Sequence, residues 1–357
     1  MIQSFKTGLA LVAIALGVGG SCARAATPTV DPFLAAVRVA DARTADGGVQ
    51  LTSAYATDYG ASDYGGAPFG PPGGPVPGTH LGPVGESVET ASWGYNAPAT
   101  HCGWEVMPDG LIYRSYLAGP RESRLALHAI HNSHAAENSE WLWDATLGGR
   151  RGLLRYGNNN PMNPVGWQLD IEGSTVVRLN LDENRDVDAS DFRFGVPLTY
   201  TAGDGVSYKM GYYHVSSHLG DELIARTGVN SRVNYVRDAI IAGVSYQATP
   251  ALRVYGETAW AFFTAGGAEP WEFQFGAEWA QPGPTGMAGT PFVATNAHLR
   301  EETDFGGDWT FQTGWLWRGD TGSTMRLGLH YMNGKSTQYQ FFTRSEEQIG
   351  FGIWYDF

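Results

Sequence analysis

The stretch Ile349-Gly350-Phe351-Gly352-Ile353-Trp354-Tyr355-Asp356-Phe357 decides how the rest of the chain is read. Successive side chains of a strand point to opposite faces, so Ile349, Phe351, Ile353, Tyr355 and Phe357 share one face and Gly350, Gly352, Trp354 and Asp356 the other. The stretch finishes on an aromatic residue with four alternating apolar residues behind it. A strand whose oily face meets lipid accounts for that pattern, as in the closing strand of a bacterial outer-membrane barrel. The competing reading is an edge strand of a soluble β-sandwich.

Outward from that strand, the chain from about residue 123 is a succession of similar segments broken by turn residues. About twelve are expected, at 123–132, 141–156, 165–180, 190–201, 206–217, 233–247, 251–263, 270–280, 291–302, 308–318, 323–333 and 347–357. In one of them Phe192, Phe194, Val196, Leu198 and Tyr200 oppose Asp191, Arg193 and Thr199. In another, Trp271, Phe273, Phe275, Ala277 and Trp279 oppose Glu272, Gln274 and Glu278. The polar faces carry both signs, Arg193, Lys209, Arg237, Arg253 and Arg326 beside Asp170, Glu172, Glu257, Glu272 and Glu278. A sandwich would turn those charges to water, whereas a barrel turns them inward and its aromatics to lipid. Charges of balanced sign pair across an interior, which predicts a plugged barrel rather than an open pore. Tight turns at 202–205, 248–250 and 319–322 alternate with longer polar loops near 181–189, 218–232 and 334–346. The expected fold is therefore an all-β transmembrane antiparallel barrel of about twelve strands, turns in the periplasm and loops outside.

The amino-terminal part reads differently. Lys6 followed by the apolar run Gly8 to Gly20, with Ala23-Arg24-Ala25 before Ala26, predicts a signal peptide over 1–25. Residues 26–100 hold Pro71-Pro72-Gly73-Gly74-Pro75 and show no sustained period, which predicts a disordered periplasmic linker, and the barrel is expected over 101–357. After cleavage only Cys102 would remain, too few for an intramolecular disulfide. The net charge of −13 and the absence of a basic stripe exclude nucleic acid as a partner. A mean hydropathy of −0.23 is too low for a helical membrane protein and suits a barrel, whose lumen residues alternate with lipid-facing ones.

Several runs carry a resemblance to a family of exported bacterial proteins known only as a domain of unknown function. They are Pro108-Asp109-Gly110 with Tyr113-Arg114-Ser115-Tyr116-Leu117-Ala118, then Phe192-Arg193-Phe194-Gly195-Val196-Pro197-Leu198, Ser216-Ser217-His218-Leu219-Gly220-Asp221-Glu222, and Gln348 to Phe357. That resemblance implies no activity. The last run also resembles the signal read by the barrel-assembly machinery, an expected partner beside outer-membrane lipids.

Chemistry is concentrated in His214-Val215-Ser216-Ser217-His218. Val206, Tyr208, Met210, Tyr212, His214 and Ser216 share a face, so His214 and Ser216 are expected to point at lipid near the outer leaflet. Two residues apart on one face, they are the base and nucleophile of an acyl transfer. The pair is similar to the His-x-Ser motif of outer-membrane phospholipase A and of the lipid A deacylases. The resemblance implies a polar third group that orients the histidine: Asn234 in the style of the phospholipase, Asp238 on the same face, or Asp221 or Glu222 between them. Ser217 stands directly after the serine, where the phospholipase motif has asparagine. The leading expectation is a serine hydrolase acting on ester bonds of outer-leaflet phospholipid or lipid A, in the bacterial outer membrane, with His214, Ser216 and Asn234 as its site. The alternative is a structural barrel or narrow pore. Asp182, Asn184, Asp186 and Asp188 resemble a calcium loop without its glycine and distal glutamate, so no cofactor is expected beyond calcium at that loop. His298 and His330 fall on lumen-facing positions and are read as hydrogen-bonded interior residues rather than ligands.

Overall fold

The computed structural model describes residues 102–134, 140–228 and 230–357. The signal peptide and the linker expected at 1–25 and 26–100 lie outside the described residues. Cys102 is disulfide-bonded in the uncleaved chain, whereas the expectation of a lone thiol concerns the chain after removal of residues 1–25.

Thirteen strands form one antiparallel sheet: β1 Gly103–Val106, β2 Leu125–Asn132, β3 Trp141–Gly157, β4 Gly166–Asn180, β5 Asp186–Thr201, β6 Val206–Leu219, β7 Val236–Gln247, β8 Leu252–Ala265, β9 Trp271–Ala280, β10 Thr290–Arg300, β11 Gly307–Arg318, β12 Thr324–Lys335 and β13 Ser345–Asp356. Each of β2 to β13 pairs with its sequence neighbours, and β2 also pairs with β13, so these strands close a transmembrane barrel without free edges. The expected segments correspond to β2 through β13 with small shifts at their ends. β7 begins at Val236 rather than 233 because Asn234 takes a positive φ of 54°, outside the extended region.

Burial follows the alternation in the sequence. On β13, Ile349, Phe351 and Ile353 are 57%, 64% and 47% exposed while Trp354 is 1% exposed. The same division runs round the wall: Phe192, Met210, Val244, Phe275 and Trp315 lie exposed outside, and Gln168, Asp191, Arg237, Arg300 and Arg326 are buried inside. A belt of outward apolar side chains around a polar interior is the division a lipid bilayer imposes on a barrel. No helix among the described residues is long and apolar enough to cross a membrane.

The interior is filled rather than open. Arg178 pairs with Asp144 at 2.7 Å and Glu346 at 2.6 Å, Arg150 with Asp170 at 2.6 Å, and Arg253 with Glu278 at 2.9 Å. Charges of both signs at close range offset one another's desolvation, as the sequence composition implies. His298 sits buried between Glu272 and Asp308, and His330 contacts Gln312 and stacks near His128, which places both among hydrogen-bonded interior residues.

Residues 107–124 form an inward segment that pattern reading did not separate from the wall. β1 runs beside the lower part of β3, from Gly103 opposite Gly157 to Val106 opposite Leu154. The chain then leaves the wall and returns as β2, whose Leu125 lies opposite Leu147 of the same strand. In between, Tyr116 stacks on Tyr255 at 3.8 Å and donates a hydrogen bond to Glu257, and the Leu117 amide donates to Glu278. Arg121 pairs with Asp191 at 2.7 Å and Arg124 with Asp356 at 3.0 Å. The segment is a plug cross-linked to at least seven strands, because β3, β4, β5, β7, β8, β9 and β13 each supply a partner.

At the end where β13 finishes, turns such as 202–205 are tight, and Gly203 and Gly205 take the positive φ that such a turn requires. At the opposite end lie longer connections, including the short helix α1, Asp221–Thr227, between β6 and β7. We refer to these as the turn end and the loop end.

Candidate functional site

The site is on the outer face of the wall, near the loop end of β6 and β7. Lys209, Tyr213, Val215 and Ser217 are buried inward, so Tyr212, His214 and Ser216, of opposite parity, face outward. The preceding outward residues, Tyr208 and Met210, are 52% and 56% exposed to the lipid side. On β7, Arg237, Ala239 and Ile241 are buried inward, and Val236, Asp238 and Ile240 face outward.

The register of the two strands sets His214 directly opposite Asp238. The ring uses it: His214 Nδ1 lies 2.8 Å from Asp238 Oδ1. Tyr212 donates a second hydrogen bond to the same carboxylate oxygen at 2.6 Å. A histidine held through Nδ1 by a carboxylate presents Nε2 as its free acceptor, the tautomer a general base needs. Ser216 is two residues further on the same face, and at a strand rise of about 3.4 Å per residue its Cα lies about 7 Å from that of His214. Among the described residues no hydrogen bond joins Ser216 to His214, so the pair shares a face and a level of the wall without being bonded. The histidine and carboxylate are 37% and 23% exposed, so they stand at the surface rather than in the lumen.

The same register separates Asn234 from the pair. Ser216 lies opposite Val236 and the Ser217 amide bonds the Tyr235 carbonyl, which carries Asn234 to the level of His218, beyond Ser216. Among the described residues no hydrogen bond joins Asn234 to His214, and the structure brings Asp238 there instead. Asp221 and Glu222 are engaged elsewhere, the first with Arg232 and the second with the Val187 amide. His218 faces outward too, its ring edge-on to Phe192 at 5.6 Å.

The acidic loop between β4 and β5 is also spoken for. Asp182 accepts the amides of Glu140 and Trp141, and Arg226 of α1 takes both Asp186 and Asp188 at 2.9 Å. Among the described residues no group of three or more acidic, histidine or cysteine side chains is gathered as for a metal ion.

Sequence reasoning did not single out Tyr212 as a site residue. Its signal was its parity with His214, but the partner that makes it functional appears only when the registers of β6 and β7 are known. A carboxylate, an imidazole and two hydroxyls on a lipid-facing surface are costly to hold there: a charged side chain at the bilayer centre costs about 2.5–3.5 kcal/mol on insertion scales, falling toward the interface. Tyr212, His214 and Asp238 are joined by hydrogen bonds and make a base and its orienter, with Ser216 next along the same face as the candidate nucleophile.

Comparison with solved structures finds outer membrane phospholipase A from Escherichia coli at 10% identity, covering 67% of this chain and 91% of that one, with a TM-score of 0.44. The outer membrane phospholipase dimer of Salmonella typhi with bound calcium is similar at 10% identity, 66% and 91% coverage and a TM-score of 0.44. The KdgM porin in complex with disordered oligogalacturonate is similar at 10% identity, 65% and 98% coverage and a TM-score of 0.36. No curated protein matches the chain significantly. Residues 80–357 match the sequence pattern of a family described as "Protein of unknown function (DUF1207)", and the chain therefore belongs to that family.

Proposed function

We propose that this protein is a serine hydrolase of the bacterial outer membrane that cleaves ester bonds of lipids reaching it from the surrounding bilayer. Ser216 is the nucleophile, His214 the general base and Asp238, supported by Tyr212, the group that orients the base. His214 Nε2 takes the Ser216 proton as Oγ attacks the ester carbonyl, and returns it to the departing alcohol oxygen. Water then repeats the sequence on the acyl-enzyme and releases the fatty acid. Partners on this reading are outer-membrane lipids and, during biogenesis, the barrel-assembly machinery.

The observation that carries the reading is the His214 to Asp238 hydrogen bond at 2.8 Å on the outward face. An interfacial rim residue needs no carboxylate fixed behind it, and a solute pore would use the lumen, which here is occupied by ion pairs and the plug. Purified protein in detergent micelles with phospholipid or lipid A is expected to release fatty acid, and Ser216→Ala to abolish release while the barrel stays folded. Unchanged release from Ser216→Ala, or none from the wild type, overturns the proposal.

A further inference from the structure

The row of residues that contains the site continues across the wall. Asp238 lies opposite His214, His214 opposite Phe194, Phe194 opposite Gly173, and Gly173 opposite Gly149. With strands spaced about 4.8 Å apart, Gly173 lies about 10 Å from His214 and Gly149 about 14 Å. All of these positions are on the outer face. Two glycines in register leave the wall without side chains there, and an open cavity of about 470 Å³ occupies the space. Ile171, Phe194 and Phe357 wall it, the glycines floor it, and Arg151 stands at its rim, neutralised by Asp109 at 2.6 Å. Phe357 closes the far end: a Cβ placed on Gly149 would meet its ring at 2.8 Å.

We propose that this groove holds the acyl chain of the lipid whose ester is cleaved at Ser216, so that the substrate class is a membrane lipid with a long acyl chain. This rests on the hydrolase reading. The groove opens onto the hydrocarbon that surrounds the barrel, and it begins one strand from the general base. It also runs the right way. Ser216 is near the loop end of β6, whereas Phe357 follows the turn end of β13, and barrel strands tilt by about 35–45°. A row crossing them therefore descends obliquely from the interface into the bilayer, the path of an acyl chain whose ester stays at headgroup level. From Phe194 to Gly149 the groove spans two strand spacings, about 10 Å, which accommodates roughly eight carbons of extended chain.

Gly173→Leu tests it. A Cβ at this position meets only the Arg193 carbonyl oxygen, at an ordinary 3.7 Å, so the new side chain enters the groove without displacing the backbone. The variant is expected to lower the ratio of p-nitrophenyl palmitate to p-nitrophenyl butyrate turnover by about tenfold or more, the scale at which apolar pockets discriminate chain length. An unchanged ratio overturns the groove. A second readout is independent of catalysis. Phosphatidylcholine carrying a diazirine near the end of its acyl chain, in vesicles with the full-length protein, should label β3 and β4 peptides containing Gly149 and Gly173. Labelling should persist in Ser216→Ala and fall in Gly173→Leu, and labelling spread evenly around the barrel refutes the proposal. If the wild type labels the groove yet releases no fatty acid, the groove stands and the hydrolase reading alone fails.

Discussion

Replacing Asp238 separates the triad proposed above from the one the sequence motif implies. In Asp238→Ala the His214 ring loses its Nδ1 partner and is free to rotate away from Ser216. A hydrogen bond to a charged group contributes about 1.5–3 kcal/mol, which corresponds to roughly a ten- to hundredfold loss if it acts mainly in the transition state. The upper limit is about 10⁴, the loss in kcat when a fully buried orienting aspartate is changed to asparagine in a serine protease. His214 and Asp238 are 37% and 23% exposed, so water can replace part of the bond, and a loss of about a hundredfold is expected. It should fall on kcat rather than KM, because the carboxylate holds the base and not the lipid. Asn234→Ala, at the level of His218, should stay within about twofold of wild type. The assay is fatty acid release from mixed micelles at saturating phospholipid, with folded barrel confirmed by its shifted mobility in unheated gel samples. Wild-type turnover in Asp238→Ala, or an equal loss in Asn234→Ala, would refute the argument from register.

Two further expectations concern the interior. Arg178→Met leaves Asp144 and Glu346 buried without their shared cation, and should lower the stability measured by urea unfolding in detergent by about 3–5 kcal/mol. Neutralising both carboxylates in the same chain should recover much of it, and a single variant within about 1 kcal/mol of wild type would contradict the pairing. Replacing residues 111–122 with a glycine-serine linker removes Tyr113, Tyr116 and Arg121 from the lumen. Planar bilayers should then show single-channel conductance that the wild type lacks, and a silent variant would mean that the remaining ion pairs suffice to close the barrel.

The strands were legible because a wall with lipid on one side and charge on the other must alternate, and Phe192 to Thr201 or Trp271 to Trp279 do so without interruption. The inward segment was not, because Pro108, Gly110, Gly119 and Pro120 punctuate it and nothing local distinguishes Tyr113 and Tyr116 from loop residues. Their burial depends on Tyr255 and Glu257, far away in sequence. The His214 and Ser216 pair was legible from parity. Its third member was not: Asn234 and Asp238 have the same parity, and only the length of chain spent between β6 and β7 decides which one stands opposite the histidine. The cavity needs two registers in succession to bring Gly149, Gly173 and Phe194 into one row, which no single-strand pattern contains.

The interrupted first strand has a consequence for how the molecule is built. Both ends of the 107–124 segment are stitched into the wall, at β1 against β3 and at β2 between β3 and β13. The cylinder closes through β2 and β13, so only the four residues of β1 have to peel from β3 for the stretch to slip out of a finished barrel or back into it. Topology therefore allows the stopper to be seated after the rim is sewn, with β1 as the latch that then holds it.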